Sequence, residues 1–334
     1  MLQRVVRIAA FATMQLVVCG AVQARDLSRE EALQTLSRAI QATNKLNYDG
    51  VFVYRHGDVS ETTRIIHFIE SGKEYEHLEV LNGSPREVLR EGEEVRCYMP
   101  ESHTIFVEMR GERHTFSSIL PASLSSIAEH YAVHEGAPMR VAGFDTQSIV
   151  LEPRDDYRYA YQFWVDKASG MLLKAGMSTT RRQGDTPERE LESFSFTELK
   201  LDVPPDLSRM RVRLQTNEDW QVHHVETRDS ARIDDSSWVF RNVPPGFRRT
   251  AAMRRQSRLS APAGLHFIYS DGLAAISVFI EPNAGGKSDK QVANLGAINA
   301  YRRVVGGYQI LVMGEAPAAA VKRLADGIEW RKKH

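Results

Sequence analysis

Two histidines, His130 and His134, stand four residues apart in His130-Tyr131-Ala132-Val133-His134. On a helix that spacing puts both imidazoles on one face, where they could hold zinc. The segment lacks the glutamate of an H-E-x-x-H site, and no third ligand is evident. A solvated or boundary pair is the better reading. His223 and His224 are adjacent, so on a strand they point to opposite faces. The chain has no G-x-S-x-G elbow, no P-loop and no G-x-G-x-x-G turn. Arg181-Arg182 and Arg254-Arg255 are short basic pairs, read as solvated; contact with acidic headgroups or an acidic segment is the other option. Catalysis needs convergent groups, and none can be assembled from these residues. The expectation is a protein that is not an enzyme, with no catalytic residue, metal or cofactor.

The apolar residues say more. In the stretch 159–165, Tyr159, Tyr161, Phe163 and Val165 fall on one face of a strand, and Ala160 and Trp164 on the other. A strand apolar on both faces is covered on both sides. Leu120, Leu124, Ile127 and Tyr131 fall at i, i+4, i+7 and i+11, one face of a helix over 116–131. If the two faces meet, they form either a plain core or a cavity that admits acyl chains. Leu120, Leu124, Ile127, Tyr159, Tyr161 and Phe163 are the candidate lipid-lining residues.

These residues need elements to hold them. Ser28 and Glu31 have capping-box spacing, and Leu33, Leu36 and Ile40 follow at helical period, which predicts a helix over 27–44. The period then becomes two. Strands are predicted at 48–54, 62–70, 74–81, 87–90, 95–99 and 104–109, separated by turns such as Asn82-Gly83, Glu91-Gly92 and Arg110-Gly111. Strands resume at 139–143, 146–152, 158–166, 172–177 and 190–199. Short connections imply an antiparallel meander rather than a parallel doubly wound sheet. Asp202-Val203-Pro204-Pro205-Asp206 marks a boundary, and the polar stretch 204–235 reads as a linker with some local structure. Beyond it, 266–269 and 273–280 flank Ser270-Asp271-Gly272, and 300–305 and 308–313 flank Gly306-Gly307, two hairpin signals. A closing helix over 317–330 completes a small α+β domain at 236–334. The first domain spans 25–203.

Composition sets the compartment. Arg4 and Arg7 precede an apolar run of about 12 residues, too short for a membrane span of about 20, and Val22-Gln23-Ala24 follows. That predicts a signal peptide over 1–24 cleaved after Ala24, and an exported soluble chain. Val18 before Cys19 departs from a lipobox. Of 43 basic side chains Arg4 and Arg7 would leave with the signal, so 41 would face 43 acidic ones. A balance near −2 gives no general attraction to nucleic acid. Cys97 would then be alone, with no intramolecular disulfide, and reads as a buried strand thiol.

Several segments together carry a resemblance. They are Ser84-Pro85-Arg86-Glu87-Val88, Val95-Arg96-Cys97-Tyr98-Met99-Pro100, Val141-Ala142-Gly143, Leu151-Glu152-Pro153-Arg154-Asp155-Asp156-Tyr157-Arg158-Tyr159 and Trp164-Val165-Asp166. Val243-Pro244-Pro245-Gly246-Phe247, Tyr269-Ser270-Asp271-Gly272-Leu273 and Met313-Gly314-Glu315-Ala316-Pro317 follow. In this order they resemble the RseB/MucB family, periplasmic regulators of an envelope-stress sigma factor. The resemblance implies a first domain similar to the lipoprotein carriers LolA and LolB, a half-open antiparallel β-barrel covered by helices. It also implies a small C-terminal antiparallel sheet with a helix. The implied partner is the periplasmic domain of a membrane anti-sigma factor of RseA/MucA type, shielded from site-1 proteolysis. Lipopolysaccharide or another acylated ligand is the implied release signal. Phe247, Tyr269 and Arg302 are the candidate partner contacts, since aromatics and arginine anchor interfaces. A plain lipid carrier is the alternative function. The residues leave homodimerisation open.

Overall fold

The first helix, α1 (Arg29–Lys45), begins where the capping residues place it. In the computed structural model the Ser28 hydroxyl accepts from the Glu31 amide at 3.3 Å, and the Ser28 amide donates to the Glu31 carboxylate at 2.8 Å. The structure describes residues 28–109, 120, 124–181, 188–214, 219–225, 237–255, 264–283 and 291–331. The expected signal peptide, 1–24, lies outside them.

The meander follows: β1 (Tyr48–His56), β2 (Val59–Glu70), β3 (Lys73–Val80), β4 (Glu87–Glu91), β5 (Glu94–Met99) and β6 (Thr104–Met109), each antiparallel to the next. Next come α2 (Leu124–His130), β7 (Tyr131–Gly136), β8 (Arg140–Val141), β9 (Phe144–Pro153), β10 (Ala160–Asp166), β11 (Leu172–Ser178) and β12 (Glu190–Leu201). β12 returns to pair with β1 and joins the two halves into one sheet. Its path ends at β7 on one side and does not close, so the sheet is half-open. α1 lies across β7, β9, β10 and β11 and supplies Ala32, Leu36 and Ala39 to the core.

The helix expected over 116–131 is shorter among the described residues. It ends at His130, and Tyr131-Ala132-Val133 continues as β7 against β9. An aromatic and a β-branched residue at alternate positions suit a strand, and both Tyr131 and Val133 are buried. His130 and His134 therefore do not share a helix face.

The polar stretch after β12 runs along the first sheet. Asp206 caps a 3-10 turn, Leu207–Met210. The Arg209 carbonyl accepts from His77 Nδ1 at 2.9 Å, and His77 Nε2 meets Glu87 at 2.8 Å. Glu87 also accepts from the amides of Arg213 and Leu214. Farther on, β13 (Gln221–Val225) pairs in parallel with β6 and becomes the outer strand.

The second domain has β14 (Trp238–Phe240), β15 (Arg248–Arg255), β16 (Gly264–Ser270), β17 (Ala275–Pro282), β18 (Gln291–Leu295), β19 (Ile298–Val305), β20 (Tyr308–Gly314), α3 (Ala318–Asp326) and β21 (Ile328–Trp330). Its six-stranded sheet has the order β15-β16-β17-β20-β19-β18. Both expected hairpins form. Gly306 and Gly307 sit at φ 59° and 84°, as a two-residue hairpin turn with both centres left-handed requires. α3 ends at Asp326, not near 330. Gly327 passes so close to Asn242 that a Cβ would meet its backbone nitrogen at 2.5 Å. Ile328 is still buried, but as a strand residue pairing with β14.

Candidate functional site: an arginine-centred junction and two binding faces

Arg158 precedes β10 and points into the second domain. It is fully buried. Its Nε donates to Asp271 at 2.7 Å, Nη1 to Asp155, and Nη2 to the Pro245 carbonyl. The guanidinium lies 5.2 Å from the centre of the Phe247 ring. Asp271 is buried too, and its other oxygen accepts from the amides of Leu273 and Ala274 at 3.0 and 2.8 Å, which fixes the β16–β17 turn. A buried charge persists only where it is paired and hydrogen-bonded; this one has both. Gly246, at φ 79°, makes the close approach possible. Any Cβ there would strike His130 and Arg158.

Tyr159 extends the junction. Its hydroxyl donates to the Ala297 carbonyl at 3.2 Å and accepts from Asn299 at 3.0 Å, while Asn299 also donates to the Ala316 carbonyl at 2.9 Å. Tyr159, Met177, Leu191 and Ala297 form a small apolar cluster across the two domains. Tyr157 lies beneath Arg323 at 5.3 Å.

The other expected lipid-lining residues meet on the helix-covered face of the first sheet. Leu120, Ile127 and Phe163 are buried in one core, with Leu124 and Tyr161 partly buried against it. Tyr161 stacks on Phe163 at 6.2 Å and meets Tyr131 edge-on at 6.3 Å. Burial pushes the Tyr131 and Tyr161 phenols well above their ordinary pKa, so both are neutral. The Tyr131 hydroxyl has no hydrogen-bond partner among the described residues. So the strand and helix faces do meet, while Tyr159 turns towards the second domain and Tyr161 packs against both clusters.

Of the expected partner contacts, Phe247 and Tyr269 are core residues, 5% and 4% exposed. Phe247 packs on Arg158, and Tyr269 on Phe240 at 5.5 Å. Arg302 is partly exposed on β19. Among the described residues no three His, Cys, Asp or Glu side chains could hold a metal ion. Arg158 and Asp271 were not among the residues singled out from sequence. The only signal was their place within two of the resembling segments, which says nothing of their being in contact.

Models of the MucB/RseB N-terminal and C-terminal domains match residues 31–216 and 232–329. The chain belongs to the MucB/RseB family. It is therefore one of a family of regulatory binding proteins, not enzymes. It is 28% identical over 315 residues to the sigma factor AlgU regulatory protein MucB of Pseudomonas aeruginosa, covering 93% of each chain. It is 23% identical over 323 residues to the sigma-E factor regulatory protein RseB of Haemophilus influenzae, covering 96% of each. Among solved structures it is similar to MucB in complex with MucA(peri), with TM-score 0.70, 26% identity, and 90% and 100% of the two chains covered. The P. aeruginosa MucA/MucB complex gives TM-score 0.71 at 26% identity, covering 91% and 100%. Arg158, Pro245, Phe247, Asp271 and Ala316 come from four separate segments that carry the MucB/RseB resemblance, and all meet at the junction.

Proposed function

We propose that the chain is a periplasmic regulator that binds the periplasmic segment of a membrane anti-sigma factor. Holding that segment shields it from site-1 proteolysis, and the stress sigma factor stays sequestered. A lipid-bearing molecule such as lipopolysaccharide enters between the helices and the first sheet and lowers affinity for the partner. The observation that carries this reading is the match to both family domains in order, together with similarity over nine-tenths of the chain to a MucB bound to MucA(peri). The physical basis of shielding is occlusion, since a protease cannot thread a segment held against a folded surface.

The lipid half is supported by the core around Phe163 and by the unpartnered Tyr131 hydroxyl within it. An unmet buried donor costs about 1–3 kcal/mol, and each buried CH₂ of an acyl chain is worth about 0.8 kcal/mol. Release by lipid requires that partner and lipid weaken each other equally. The test is protease protection of the host's anti-sigma periplasmic segment by the full chain, with and without lipopolysaccharide. Protection that lipid reverses is expected. No protection overturns the regulator reading and leaves the lipid carrier; protection that lipid leaves unchanged overturns the sensing half alone.

A further inference from the structure

Among the described residues, one helix packs on the second domain's sheet, on one face. α3 packs over the face carrying Phe267, Val278, Ile310, Val312 and Tyr301, all buried. Cross-strand register sets His266, Phe279, Leu311, Arg302 and Gln291 in one row on the opposite face. None of these five is buried. The row ends at β18, the last strand of the sheet.

Among the described residues no strand pairs with the outer side of β18. All five residues, Gln291, Val292, Ala293, Asn294 and Leu295, are exposed, Val292 at 67% and Leu295 at 75%. The strand has no charge and no proline, and its register with β19 runs without a bulge. Natural sheets blunt such edges with lysine, proline, bulges or a cover, because an open row of N–H and C=O groups templates another strand. Beside this edge, Arg302 stands directly opposite Gln291. Its neighbour Arg303 donates to the Ala325 carbonyl at 3.0 Å and lies 3.7 Å from Asp326. The Arg302 side chain has no ion pair or hydrogen bond with any described residue.

We propose that β18 is a docking edge, on which an extended partner segment adds as a seventh strand. The segment's main chain pairs with β18, its apolar side chains cover Val292 and Leu295, and a carboxylate reaches Arg302. A strand added beyond β18 lies two strand spacings, about 10 Å, from β19, within the joint reach of an arginine and a glutamate side chain. Charge decides the occupant. A second copy pairing edge to edge brings a β18 that has no carboxylate, so neither Arg302 gains a counter-ion. An acidic, apolar, extended segment satisfies edge and charge together. The inference rests on the regulator reading above and gives the chemistry of the segment that the regulator holds.

The experiment uses the full chain and a labelled synthetic peptide of the host anti-sigma factor's periplasmic segment. Hydrogen exchange is read at residues 291–295, affinity by fluorescence anisotropy, and self-association by light scattering. Val292→Lys and Arg302→Glu, both at positions that are not buried, should each weaken binding at least tenfold, with Arg302→Lys within about threefold of wild type. The peptide should protect the β18 amides. Far-UV circular dichroism and melting establish that each variant is folded. Wild-type binding with no protection at 291–295 and no loss in Val292→Lys overturns the docking edge while the regulator reading stands. A change confined to self-association assigns the edge to a second copy and overturns the proposal. Failure of the wild type to bind the peptide overturns the regulator reading and this inference together.

Discussion

Replacing Arg158 by methionine tests whether the junction is held by one buried charge. Methionine keeps much of the apolar stem and removes the guanidinium. Arg158 is 0% exposed and Asp271 4%, so the substitution leaves a buried carboxylate with only the Leu273 and Ala274 amides as donors. Removing one partner of a buried pair costs about 3–5 kcal/mol. That is about a fifth or more of the roughly 5–15 kcal/mol typical of a folded domain. Because the lost contacts bridge the domains, the cost should appear as uncoupling. Urea unfolding followed by fluorescence should be more cooperative in the wild type and split into two transitions in Arg158→Met. Asp271→Asn keeps the oxygen that caps the turn and removes the charge. In the double variant the two losses should fall short of their sum by about 1.5 kcal/mol or more, as for residues in direct contact. A loss under about 1 kcal/mol in Arg158→Met, or strict additivity in the double variant, would refute the reasoning.

Three further outcomes follow from particular sites. Burial works against a charged Glu87, but His77 and the amides of Arg213 and Leu214 outweigh it and hold the carboxyl below its ordinary value of 4.5. A depressed folded-state pKa gives stability that is complete above the unfolded value and lost as pH falls through the folded one. Wild-type urea midpoints should therefore fall below about pH 4.3, with a shallower fall in Glu87→Gln; equal slopes would contradict it. Gly246→Ala forces a Cβ against His130 and Arg158 at φ 79°, and should lower stability by about 1–3 kcal/mol, measured by the same denaturation; a neutral variant would show that the junction has room. Burial raises the Cys97 thiol pKa, and its Sγ donates to the Met99 sulfur at 3.7 Å. Maleimide labelling at pH 7 should be slower than for free cysteine by about tenfold or more, and rise to the free rate in urea.

The elements were largely legible because their signals are local. The Ser28–Glu31 cap, the alternation through β1 to β6, and the paired glycines of the β19–β20 hairpin each depend on neighbours in sequence. The meeting of Phe163 with Leu120 and Ile127 was legible too, since an apolar strand face and an apolar helix face have few other places to go. Where local signals competed, tertiary pairing won. Tyr131 fits the helix period, yet β9 offers its strand a partner. Ile328 fits the last helical turn, yet Gly327 against Asn242 turns the chain into β21.

Local signals in the sequence set the fold class: a large antiparallel sheet with helices and a smaller antiparallel sheet with a helix. Hydrophobic period and turn chemistry act over a few residues and need no knowledge of what lies across the fold. Only the tertiary structure decided what the charged residues do. Arg158 and Asp271 are 113 residues apart, and a charge reads as solvated until the residues around it are placed. The polar stretch after β12 reads as a linker for the same reason. Glu87, more than 120 residues upstream, turns part of it into a strap on the first sheet. Burial and pairing are properties of the assembled fold, and they reverse the meaning of polar residues far more readily than that of apolar ones.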